Sequence, residues 1–99
     1  MRRGEYFAAH EELELAWRAA EAEERDFYQG LVHVTVAWYQ AQRGNRTGCV
    51  RQLEKAERRL ASYAPEHRGV DLRDVLEQVQ AAARSVEAGS LDLTPLKFA

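Results

Sequence analysis

Apolar positions recur at three- and four-residue steps along four stretches of the chain, while alternation of period two is weak throughout. Over about residues 5–23, Tyr6, His10, Leu13, Trp17 and Ala20 share one side of a helix, with Glu5, Glu12 and Arg18 elsewhere on the cylinder. Over 27–43, Phe27, Leu31, Val34, Trp38 and Ala41 form a stripe flanked by Tyr28, Val32 and Tyr39. So little of that circumference is strongly polar that this is predicted to be the central, most buried helix. Its β-branched run at 32–36 favours a strand locally, and packing is expected to override that preference. Over 46–63, Cys49, Leu53, Ala56, Leu60 and Tyr63 face inward, and Arg51, Glu54, Lys55 and Arg58 face out. Over 72–88, Leu72, Val75, Leu76, Val79, Ala82, Ala83 and Val86 make the apolar face.

The breaks between these stretches carry helix-end chemistry. Asp26 is placed to cap the second helix, with Gln29 as its capping-box partner. Gly44 suits the left-handed residue that ends that helix, and Asn45 suits the cap of the third. So short a turn makes helices two and three antiparallel neighbours. Residues 64–69 form the longest loop, Asp71 caps helix four, and Gly89 ends it. The expected fold is all-α: a small antiparallel bundle of about four helices, with no sheet, in a single domain over residues 1–99. Leu13, Trp17, Leu31, Val34, Trp38, Leu53, Leu60, Val75 and Val79 are its expected core. The tail, residues 90–99, is too apolar to dangle and should pack on the bundle or on a partner subunit.

Composition narrows the class. Ninety-nine residues, 45% apolar and 30% charged, suit one globular domain and exclude a disordered chain. The longest uncharged run, 27–42, holds Gln29, His33, Gln40 and Gln42 and makes a poor membrane span, so no membrane partner is expected. The opening residues lack an apolar leader, and the cytoplasm is the expected compartment. The lone cysteine, Cys49, can form no intrachain disulfide and reads as an inert buried thiol. Fourteen basic against sixteen acidic residues leave −2, so no nucleic acid is expected. Arg46, Arg51, Arg58 and Arg59 sketch a basic strip on helix three, but Glu54 and Glu57 interrupt it, so it reads as a solvated face rather than a nucleic-acid surface.

The most suggestive string is His10-Glu11-Glu12-Leu13-Glu14. His10 and Glu14, four apart, point the same way from one helix. The spacing is that of a zinc-protease motif, but a glutamate stands where the second histidine would be, so the match is poor. If helices one and two form a hairpin, His33 and Gln40 come toward the same patch, and Gly30 leaves room for the indole of Trp17. Three readings follow. The groups satisfy one another by hydrogen bonds; or His10, Glu11, Glu14, Trp17, Gln29 and His33 bind a small molecule or partner; or His10, Glu14 and His33 form a catalytic or metal site. His67 lies in a polar loop and is expected to be solvated.

Tyr6-Phe7-Ala8-Ala9-His10-Glu11-Glu12-Leu13-Glu14-Leu15-Ala16-Trp17 resembles the opening of a small prokaryotic family, the domain of unknown function 309. Phe27-Tyr28-Gln29-Gly30-Leu31-Val32, followed by Arg43-Gly44-Asn45-Arg46-Thr47-Gly48, resembles its second block. The resemblance implies an all-helical fold and no assigned activity. His10, Glu11, Glu14, Trp17, Gln29, Gly30, Gly44 and Asn45 are the motif positions it carries over, without roles. The leading functional reading is a binding or oligomerisation module, most simply a homodimer through the surface of helix two or the tail, with no cofactor. The alternative is a metal-dependent enzyme or metal-binding protein using His10, Glu14 and His33, so enzymatic activity stays open.

Overall fold

The computed structural model describes residues 3–98. Four helices, α1 (Arg3–Ala19), α2 (Ala22–Gln42), α3 (Arg46–Leu60) and α4 (Leu72–Glu87), pack in sequence around one core. The principal contacts run α1 on α2, α2 on α3 and α3 on α4, with α2–α3 the most extensive. As its pattern predicts, α2 is central: Phe27, Gly30, Leu31, Val32, Val34, Thr35, Ala37, Trp38 and Ala41 are all buried, and residues 32–36 are helical.

The first break falls earlier than the pattern suggests. Helix α1 ends at Ala19 and α2 begins at Ala22, behind Glu21 in extended conformation with no side-chain cap. Asp26 is therefore inside α2 and caps nothing; its Oδ1 accepts from Arg59 Nη1 at 2.7 Å. The second break follows the expected chemistry. Gly44 takes φ +76°, and Asn45 Oδ1 accepts the Gly48 N–H at 3.0 Å. Gly48 is itself part of that cap, because a Cβ there would lie 2.7 Å from the Asn45 amide nitrogen.

Helices α2 and α3 meet along a seam with regular spacing. Asp26 pairs with Arg59, His33 Nδ1 lies 2.6 Å from Gln52 Oε1, and Asn45 Nδ2 donates to Gln40 Oε1 at 3.0 Å. Each step of seven residues along α2 is a step of seven back along α3, the register of two antiparallel helices packed nearly side by side. Gly30 lies on this seam. A Cβ there would sit 2.6 Å from Leu60 Cγ and Cδ2, so the glycine admits α3 and not the Trp17 indole.

The third connection departs most from expectation. After α3 the chain makes a 3-10 turn, Ala61–Tyr63, and then a small antiparallel hairpin, β1 (Glu66–His67) with β2 (Val70–Asp71), where no strand was expected. Arg68 at φ 50° and Gly69 at φ 79° give the left-handed pair that a two-residue hairpin turn needs. Glu66 Oε1 accepts the Gly69 N–H at 2.9 Å. Asp71 then caps α4, accepting from Asp74 N–H at 3.0 Å.

The tail packs on its own chain. Leu96 is buried, and Leu91, Leu93 and Phe98 lie against the core. The Trp38 indole N–H donates to Thr94 O at 2.8 Å, the Leu96 N–H donates to the Tyr6 hydroxyl at 3.3 Å, and the Gln78 amide pairs with both backbone groups of Lys97. Seven of the nine expected core residues are buried; Leu13 and Trp17 are only half-buried, because α1 is covered mainly by α2.

Candidate functional site

Gln29, His33, Val36 and Gln40 recur along one side of α2, and all four are half-buried. This strip lies between α1 and α3. On the α1 side, Tyr6, Phe7, His10, Val36, Tyr39, Gln40 and Arg43 line an open cleft of about 250 Å³. The Phe7 ring meets Tyr39 edge-on at 6.2 Å, and the Arg43 guanidinium lies 5.6 Å from the Tyr39 ring centre. The cleft therefore has aromatic walls, a cation at one end and His10 at the other.

His10 Nε2 lies 3.5 Å from Glu14 Oε1, one helical turn on, and Arg18 reaches the other Glu14 oxygen at 3.9 Å. These side chains are 30% and 39% exposed for His10 and Glu14, so the pair is wet at the edge of the groove. Glu11 is exposed beside them. His10 and Gln40 share the cleft, as the hairpin geometry predicts.

His33 does not join them. Its ring turns to α3 and Gln52. The amide oxygen only accepts, so Nδ1 carries the proton and Nε2 is left as a buried lone pair without a partner. Burial holds the imidazole below its ordinary value, and Arg59, Lys55 and Arg58 push in the same direction. His33 is thus a neutral ring in the seam. Convergence of His10, Glu14 and His33 on one patch is not what the fold delivers. Among the described residues no three His, Cys, Asp or Glu side chains stand together as a metal site.

A second polar cluster escapes sequence reasoning. Glu24 Oε1 accepts from His67 Nε2 at 2.7 Å and from Arg68 Nε. The Arg68 hydrogen bond and then the His67 one hold the Glu24 carboxyl below the usual carboxylate range. His67 is half-buried rather than solvated: its ring packs 4.6 Å from Phe27 and 4.8 Å from Tyr63 between centres. The cluster clamps the hairpin to the start of α2. Only a hairpin turn at Arg68-Gly69 would have signalled it, and arginine in the first left-handed position is a weak signal. Cys49 is a buried free thiol whose pKa burial raises, which leaves it unreactive.

The family model of a domain of unknown function, DUF309, matches residues 1–52, and the chain belongs to this family. The matched segment holds all of α1 and α2 and reaches Gln52, so it includes the His10 cleft and both partners of the His33–Gln52 bond. Neither a curated protein nor a solved structure matches the chain. No described helix is long and apolar enough to cross a membrane.

Proposed function

We propose that this chain is a non-catalytic helical recognition module that works as a homodimer through the face formed by α1, the half-buried strip of α2 and α3. The observation that carries this reading is the incomplete burial of α1. Phe7 and Leu15, 52% and 66% exposed, are the exposed large hydrophobic residues among those described, and both lie on α1. Leu13 and Trp17 behind them are half-buried. An amphipathic helix covered on one side has apolar area left to give to a partner. The tail and the apolar stripe of α2 are already used within the chain, so association falls to the α1 side.

Of the candidate binding residues, His10, Glu11 and Glu14 stand on α1 at this face and Gln29 on the α2 strip, whereas the His33 ring is turned into the α2–α3 seam. The metal-dependent alternative needs His33 beside His10 and Glu14, and the ring bonds Gln52 instead. The proposed setting is the cytoplasm, which suits a single buried thiol.

Sedimentation equilibrium of the full chain tests this. The expected species at micromolar concentration has twice the 11.3 kDa chain mass. Phe7→Glu should return it to one chain while keeping the helical circular-dichroism spectrum. A wild-type chain that stays at 11.3 kDa up to high micromolar concentration overturns the reading.

A further inference from the structure

The basic strip of α3 divides in three dimensions, and only Arg51 and Lys55 keep an outward side clear of glutamate. Glu54 and Glu57 turn toward α4, where they line a cleft with Arg46, Val50, Ala83 and Glu87. Gln52 turns to His33, on the α2 side. Arg51 and Lys55, one turn apart, are left exposed on the remaining side, while Arg58 shares a shallow hollow with Glu54 and Glu57. Among the described residues none of these three cations is in an ion pair, whereas Arg59 is neutralised by Asp26.

Helix α1 has the opposite sign. Over α1 four glutamates stand against two arginines, and Glu11 and Glu14 lie on the same side as Phe7 and His10, with Glu14 also met by His10 and Arg18 of its own helix. Helices α1 and α3 both run antiparallel to α2 and flank its half-buried strip. A two-fold axis lying parallel to α2 over that strip exchanges the flanks. It sets α1 of one chain on α3 of the other, twice, with α2 strip facing α2 strip. Closed two-fold symmetry requires each contact to occur in duplicate, and this placement makes both contacts acid on base.

We infer that the partner surface for α1 is the Arg51–Lys55 stripe of a second copy, so that the dimer is isologous and held in register by two reciprocal charge contacts, Glu11 and Glu14 against Arg51 and Lys55. This rests on the homodimer reading above and adds which surfaces meet. The aliphatic stems of Arg51 and Lys55 give Phe7 something apolar to cover while their charged ends meet the glutamates.

Charge reversal tests it in the full chain. One variant carries Glu11→Lys with Glu14→Lys; the other carries Arg51→Glu with Lys55→Glu. Each alone should weaken dimerisation at least about tenfold, since like charges then face each other at both contacts. An equimolar mixture should recover dimers of wild-type strength, because each reversed α1 meets a reversed α3. Far-UV circular dichroism and the thermal transition report whether each variant still folds. Should one fail to fold, Glu11→Lys and Lys55→Glu singly, then mixed, make the same comparison with smaller steps. Dimers indifferent to either reversal, or reversed chains that stay apart when mixed, overturn this inference and leave the homodimer reading standing. The first result is also what a basic stripe serving a polyanion would give. A wild-type monomer overturns both.

Discussion

Gly30 shows how a single position can hold two opposed tendencies. In a helix interior, glycine costs about 1 kcal/mol relative to alanine, so Gly30→Ala should stabilise the chain if nothing else intervenes. The added methyl would lie 2.6 Å from Cγ and Cδ2 of Leu60, a fully buried side chain that would have to shift within the core. Overpacking of this kind costs about 1–3 kcal/mol. The second effect wins, and a urea melt of Gly30→Ala should show a net loss; an unchanged or raised midpoint would mean that the α2–α3 seam can open at small cost. Asn45 is simpler. Its side chain satisfies the Gly48 N–H, and Asn45→Ala should cost about 1 kcal/mol in the same assay. The two residues also differ in how far the sequence reveals them. The role of Asn45 is local: cap, turn glycine and helix start stand within five residues, and the structure agrees. Gly30 announces a close approach, but whether Trp17 or Leu60 makes it depends on which helix packs where, which no local pattern records. His33 fails to join His10 for the same reason, since Gln52 lies nineteen positions away.

At the scale of elements, the chain behaves as four helices plus a strap. Residues 91–98 have no regular structure, yet Leu96 is buried and Trp38, Tyr6 and Gln78 all bond to this segment's backbone. Leu96→Ala should therefore cost as much as a helical core truncation, about 2–5 kcal/mol, measured by chemical denaturation. A loss under about 1 kcal/mol would place the strap outside the cooperative unit. Apolar content alone predicts that this tail packs somewhere; only the structure says that it packs on its own chain. The helices were legible because a stripe of period 3.6 over fifteen or more residues is a strong signal, and their ends were legible where glycine, Asn45 or Asp71 marks them. The end of α1 carries no such mark. Ala19-Ala20-Glu21-Ala22 is made of good helix formers, and the break there comes from the packing of α1 back along α2.

Over the whole molecule, two groups make stability fall in acid by the same linkage, with separate onsets. His33 is held below its ordinary 6.5 by burial in the α2–α3 seam. The unfolded chain therefore takes up a proton below pH 6.5 that the folded chain resists, so this part of the stability is complete above 6.5 and is lost as pH falls toward the folded value. Glu24 is held below its ordinary 4.5 by Arg68 and then His67. Its contribution is complete above 4.5 and is lost as pH falls through the lower folded value. Unfolding midpoints in urea, read at fixed protein concentration from pH 7.5 down to about pH 3, should decline in two stages. His33→Gln removes the titrating ring and should flatten the first stage while leaving the second. Glu24→Gln should do the reverse, and because its partner Arg68 is more than half exposed, that second stage should also shrink in high salt. The first stage should not, since it comes mainly from burial and not from an ion pair. A wild-type profile flat between pH 6.5 and 5 would show that the seam admits the charged ring, and an acid limb there that survives His33→Gln unchanged would assign the limb to another group.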